Sequence, residues 1–172
     1  MAPRREILID AYNVMFAHPS IAPLLRRDLE RARDEFLALV DRTRPSDGTK
    51  TFVVFDAHRS PAPPTAAGRT GSEYRKGLHV VYARDSADAW IQDRVRTHED
   101  ARALTIVTSD REILDTARAH GAAILRVSEF LNLPGKRHQR VRELHETEKP
   151  EHESRRQIEN WEKLFGEPRD EE

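Results

Sequence analysis

The chain has 172 residues, 34% of them charged, with a formal net charge of -1 and no cysteine. That length supports one domain with a real core. The missing cysteine excludes disulfides, thiolate zinc sites and cysteine nucleophiles, and the balanced charge excludes a global basic field, so any contact with nucleic acid needs local Lys/Arg patches.

No run of about 18 apolar residues is present, and the N-terminus lacks the apolar core of a signal peptide. The expectation is a soluble cytoplasmic protein with no membrane partner. Residues 5–10 read as a short buried strand, because Ile7-Leu8-Ile9 is a continuous apolar run. After Pro19 and Pro23 a helix is expected over about 23–43, with Leu25, Leu29, Ala32, Phe36 and Val40 on one face. Pro45, Asp47 and Gly48 mark the turn into a second strand at 51–55. Residues 57–72 carry Pro61, Pro63, Pro64, Gly68 and Gly71 and read as a loop. A third strand is expected at 78–83. Asp85-Ser86 starts a helix with Ala87, Trp90, Ile91 and Val95 inside.

A fourth strand is expected at 104–108. Ser109-Asp110 opens the next helix, closed by Gly121. Residues 122–127 read as a fifth strand, followed by a turn capped by Ser128. Strands alternating with helices predict an α/β protein, a three-layer α/β/α domain around a mostly parallel sheet. That domain is expected over 1–135. A charged tail, 136–172, would follow, with a helix at about 154–165 carrying Ile158, Trp161, Leu164 and Phe165. The tail reads as a solvated segment whose helix docks back, or as a partner-binding helix.

Four of these strands run into aspartates: Asp10, Asp56, Asp85 with Asp88, and Asp110. In a parallel α/β sheet all strand C-termini lie on one rim, where such sheets place their sites. Carboxylates gathered there repel unless a cation sits between them, and oxygen donors suit Mg²⁺ or Mn²⁺. Each acid also has a plain structural reading. Asp110 and Asp85 can cap helices, and Asp88 can be the acidic partner of a cap. Asp10 and Asp56 can end strands and begin turns. Capping does not account for Asp10 and Asp56 if no helix follows them, which favours the metal reading for the set.

Other chemistries lack their motifs. There is no G-x-x-x-x-G-K-[ST], no G-x-G-x-x-G after the first strand and no G-x-S-x-G elbow. His138, His145 and His152 recur every seven residues, but Pro150 interrupts any shared helix, so the spacing reads as chance. What remains is metal-assisted chemistry on a phosphate. Arg59, Arg69, Arg75, Lys76 and Arg84 bracket the loop and the third strand and are candidate contacts for nucleic-acid phosphates, against a plain solubilising role.

The motifs Ile9-Asp10-Ala11-Tyr12-Asn13, Val54-Phe55-Asp56-Ala57-His58, Ser86-Ala87-Asp88-Ala89-Trp90-Ile91 and Val107-Thr108-Ser109-Asp110 resemble those of the YacP-like NYN domain family. That family belongs to the PIN-like nuclease superfamily, and its usual pattern is D-G-Y-N, V-F-D-A, T-A-D-x-x-I and T-S-D. The resemblance covers roughly residues 5–133. It implies an α/β/α fold and Mg²⁺- or Mn²⁺-dependent ribonuclease activity. By position, Asp10, Asp56, Asp88 and Asp110 would be the metal-site acids, with Asn13 and Ser109 lining the pocket. Asp85 falls outside the pattern and is ranked as a cap or outer residue. Ala11 replaces the usual Gly and Ser86 the usual Thr, and neither change threatens the acids.

The expected function is therefore an endoribonuclease acting on RNA (mRNA, rRNA or tRNA). One branch of the family is similar to an enzyme that cuts mRNA on the ribosome. Products with 5′-phosphate and 3′-hydroxyl ends are expected. The rival of another class is a catalytically silent RNA- or ribosome-binding adaptor. A receiver-like phospho-switch is weaker, because Arg126 and Val127 stand where it needs a lysine.

Overall fold

The computed structural model describes residues 5–59 and 71–135. The chain divides after Gly135 into two units, and all described residues belong to the first. The elements in chain order are β1 (Glu6–Asp10), α1 (Ala11–Ala17), α2 (Leu29–Thr43), β2 (Lys50–Asp56), β3 (Gly71–Arg75), β4 (Leu78–Ala83), α3 (Ala87–Thr97), β5 (Leu104–Val107), α4 (Arg111–His120), β6 (Ala123–Leu125) and α5 (Val127–Leu131). The strands form one six-stranded sheet in the order β3-β4-β2-β1-β5-β6. All neighbours pair parallel except β3 with β4.

The register fixes which side chains share a face. Leu8 lies opposite Phe52 and Ile106, and Asp10 lies opposite Val54. Asp56 lies opposite Ala83. Because side chains alternate along a strand, Asp10 and Asp56 stand on the face that carries Leu8, Val54, Ala83 and Ile106. Helices α3 and α4 cover that face, through Ala87, Ile91 and Val95 of α3 and Ile113 and Ala117 of α4. Ile91 and Ile113 are fully buried, and each such side chain contributes about 1.5–3 kcal/mol. The opposite face holds Phe55, packed edge-on against Tyr12 of α1 and Phe36 of α2 and stacked on Tyr82.

Several local expectations are corrected. A helix, α1, follows Asp10 directly. It was hidden because it has only seven residues before the chain turns at His18. The helix expected from residue 23 begins at Leu29, where the Asp28 carboxylate accepts the Arg31 backbone N–H at 3.0 Å. Residues Leu24–Arg26 form a separate 3-10 turn. The loop expected over 57–72 ends in the edge strand β3, whose polar sequence gave no apolar signal. A two-residue turn joins β3 to β4, with Lys76 at φ 52° and Gly77 at φ 77°, the type I′ pattern that matches strand twist. The fifth expected strand shortens to Ala123–Leu125. Ser128 does not cap the turn after it; Glu129 accepts the Arg126 backbone N–H at 2.8 Å instead. The expected tail helix at 154–165 lies outside the described residues.

Candidate functional site

Strand β1 is flanked by β2 on one side and β5 on the other, so the chain order reverses between β1 and β5. The C-terminal ends beside such a reversal are where open α/β sheets hold ligands. Asp10 ends β1, and Asp110 is the N-cap residue of α4 just after β5. Asp56 ends β2, and Asp88 lies in the first turn of α3 after β4. All four acids thus stand at one end of the sheet on its α3/α4 side.

The bonds within the site differ from the sequence expectations. Asp10 does precede a helix, but it makes no side-chain cap there. It is buried, and its Oδ2 accepts the Thr108 Oγ1–H at 2.9 Å. Asp56 Oδ1 accepts the Ala87 backbone N–H at 3.0 Å, so it caps α3 from 31 residues away. The local cap of α3 is Ser86, whose Oγ accepts the Ala89 N–H at 2.9 Å. Asp85 therefore does not cap it. Asp110 Oδ1 accepts the N–H groups of Glu112 and Ile113 at 2.9 and 3.3 Å. This cap leaves Oδ2 of Asp110 without a hydrogen bond among the described residues.

Electrostatics tie the acids together. The Asp10 pKa rises from 3.8 to about 6. Burial is the largest cause, and the negative charges of Asp88 and Asp110 add to it; the Thr108 hydroxyl and the Asn13 backbone N–H oppose it. The Asp88 carboxyl is also pushed up, first by burial and then by Asp110, Asp56 and Glu112. Four acids scattered through the sequence feel one another because the fold brings their fields together. Among the described residues, however, no group of three or more His, Asp or Glu side chains is already arranged to hold a metal ion.

Asn13 and Ser109 do meet. Asn13 Oδ1 accepts both the Ser109 backbone N–H at 2.9 Å and the Ser109 Oγ–H at 2.7 Å, which ties α1 to the start of α4. Thr108 was missed as a site residue. Its hydroxyl donates to Asp10 and accepts the Asp110 backbone N–H at 3.1 Å, so one buried side chain bridges two acids. Glu112 was missed as well; the available signal was its place in the first turn after Asp110.

The basic residues are dispersed. Arg84 lies at the rim, on an open groove of about 590 Å³ lined also by Asp88, Trp90, Arg96 and Glu112. Arg75 and Lys76 sit at the N-terminal end of β4, away from the acids, and Arg75 pairs with Asp34 of α2 at 2.8 Å. Arg59 closes the 3-10 turn after Asp56, while Arg69 lies outside the described residues.

The family model for the YacP-like NYN domain matches residues 7–165. The chain belongs to the YacP-like NYN domain family. The match reaches further than the motifs did, into the charged tail, and the NYN family is one of PIN-like nucleases. Two crystal structures of Rae1 (YacP) from Bacillus subtilis share the fold. The W164L mutant superimposes with a TM-score of 0.57 at 22% identity, over 83% of this chain and 80% of that one. The other gives a TM-score of 0.58 at 19% identity, over 92% of this chain and 89% of that one. The search of curated proteins found no match. No described helix of this NYN domain is long and apolar enough to cross a membrane.

Proposed function

We propose that this NYN domain is a divalent-metal-dependent endoribonuclease of the cytoplasm, with Asp10, Asp56, Asp88 and Asp110 as its metal-site acids. The observation that carries the reading is the gathering of Asp10, Asp88 and Asp110 at one rim of the sheet, where burial first and their mutual repulsion second push the Asp10 and Asp88 carboxyls up. A purely structural rim has no use for a carboxylate pushed toward neutrality by burial and then further by its acidic neighbours.

The donors fit a hard cation. They are carboxylate oxygens only, and Mg²⁺ or Mn²⁺ prefers oxygen and keeps several waters. Since no three acids converge tightly, some would act through water. When bound, such an ion would neutralise phosphodiester charge and lower the pKa of a water.

The chain's own residues prepare that site. Thr108 holds the Asp10 carboxylate in one orientation. The Asn13–Ser109 bonds fix the loop that presents Asp110. The N-termini of α3 and α4 face the rim, and their partial positive ends favour bound anions such as phosphate. Arg84 and Arg96 on the adjoining groove supply cations for the RNA backbone. The relatives are Rae1 structures; mRNA on the ribosome, rRNA and tRNA are the substrates to try first.

Asp10→Asn and Asp110→Asn should each abolish Mn²⁺-dependent cleavage of single-stranded RNA while the circular dichroism spectrum stays native. Full activity in both purified variants would sink the assignment. RNA binding without turnover across Mg²⁺ and Mn²⁺ titrations would establish the adaptor reading instead.

A further inference from the structure

One row of side chains runs across the sheet below the acidic rim. Tyr74 of β3 lies directly opposite His79 of β4, and His79 lies opposite Phe52 of β2. The rings touch in sequence. Tyr74 meets His79 edge-on at 5.1 Å, His79 stacks on Phe52 at 4.7 Å, and Phe52 packs against Trp90 of α3 at 6.0 Å. Tyr74 is 71% exposed, while His79, Phe52 and Trp90 are half-buried. The row is on the same face as Asp10 and Asp56, by the alternation of β2. Trp90 also lines the groove that carries Arg84, Asp88, Arg96 and Glu112. The aromatic row and the acidic rim therefore form one continuous surface.

Its charge is suited to a polyanion. Lys50 starts β2 two residues before Phe52, and its ammonium acts on His79. Lys76 is exposed in the turn two residues after Tyr74. Among the described residues neither lysine has an ion-pair partner. Arg94 lies over the Phe52 ring at 5.5 Å while its guanidinium neutralises the buried Glu6 carboxylate. Burial first, and then Lys50, pushes the His79 pKa down against the opposing charge of Glu6.

We propose that Tyr74, His79, Phe52 and Trp90, flanked by Lys50 and Lys76, are a stacking track for single-stranded RNA that leads into the acidic groove. The row contains no aliphatic side chain; its open ring is Tyr74, backed by His79 and Phe52 stacked on each other. Flat rings beside unpaired ammonium groups are what unpaired bases and their phosphates require. The strip of β2 between Phe52 and Asp56 is closed by α3, with Val54 fully buried, so the way from the row to the rim runs over Trp90, which packs on Phe52 and lines the acidic groove. This assignment extends the nuclease reading and rests on it for the purpose of the track, though not for its existence. It also gives Lys76 a role away from the acids.

The test uses the full-length chain and a fluorescently labelled single-stranded RNA oligonucleotide. Anisotropy in EDTA reads affinity without turnover. Tyr74→Ala should weaken binding roughly tenfold, and Tyr74→Phe should keep the wild-type affinity. With Mn²⁺, Tyr74→Ala should raise KM and leave kcat unchanged. A Tyr74→Ala variant that binds like the wild type overturns the track, as does a Phe variant that loses as much as the Ala variant. Wild-type protein that binds through Tyr74 but never cleaves would refute the nuclease reading and leave the track standing. Cleavage with KM and affinity indifferent to Tyr74 would do the reverse.

Discussion

Thr108 Oγ1 donates a 2.9 Å hydrogen bond to Asp10 Oδ2, joining two residues 98 positions apart at the junction of β5 and β1. The same hydroxyl accepts the backbone N–H of Asp110. Neither bond is exchangeable for water without opening the core, because Thr108 is 1% exposed.

Thr108→Val keeps the shape and removes both bonds. It should cost about 1–3 kcal/mol, since a buried carboxylate and a backbone N–H each lose a partner. Losing a donor that holds the Asp10 pKa down should also push that pKa higher. Thr108→Ser should restore both properties. Urea unfolding and an NMR titration of Asp10 read the two effects. A Val variant as stable as the wild type would contradict the bridging role.

Asp10 should make the metal-free protein less stable as pH rises. Its folded pKa is raised from 3.8 to about 6, so the native state holds this proton more tightly than the unfolded chain. The penalty is absent below about pH 3.8, grows through the interval and is complete above about pH 6, where it reaches at most roughly 3 kcal/mol. Asp10→Asn removes the charge and keeps an acceptor for Thr108. Its melting temperature in EDTA at pH 7 should exceed the wild type's, with a flatter profile between pH 4 and 6. A lower melting temperature for the variant would count against this account of the strain.

Asp56 separates capping from charge. Its Oδ1 accepts the Ala87 N–H, so Asp56→Ala should cost about 1 kcal/mol by exposing a helix N-terminus. Asp56→Asn should retain most of that stability. Both variants should lose metal-dependent cleavage if the carboxylate serves the ion. Equal stability of the Ala and Asn variants, measured by chemical denaturation, would show that the long-range cap contributes nothing.

At the opposite end of β1, the Glu6 carboxylate is 5% exposed and meets Arg94 at 2.7 Å, with His98 Nε2 at 3.7 Å. Arg94→Met would leave a buried charge nearly alone and should destabilise the fold by about 3 kcal/mol. Pairing it with Glu6→Gln should recover much of the loss. Thermal unfolding of the single and double variants checks this, and simple additivity would refute the coupling.

Much of the architecture follows from local signals. The continuous apolar runs of β1, β2, β4 and β5 mark buried parallel strands, and Gly121 at φ 78° closes α4 as its position implies. Asp10, Asp56, Asp88 and Asp110 are recognisable from the same logic, since each follows such a run. The elements that escaped are those whose stability comes from distant partners. Strand β3 is polar and exists by pairing with β4, and α1 is short and held by packing against β2 and α5.

What the sequence alone determined is the list of acids, their order and the strand ends that carry them, because apolar periodicity is local. Only the tertiary structure decided that Asp10 is the buried, strained member of the set, and that Asp56 caps a helix 31 residues away. Only it made Thr108 a bridge and placed Tyr74, His79 and Phe52 in one row. Those relations depend on strand order and register, which are fixed by contacts between segments that no local pattern encodes.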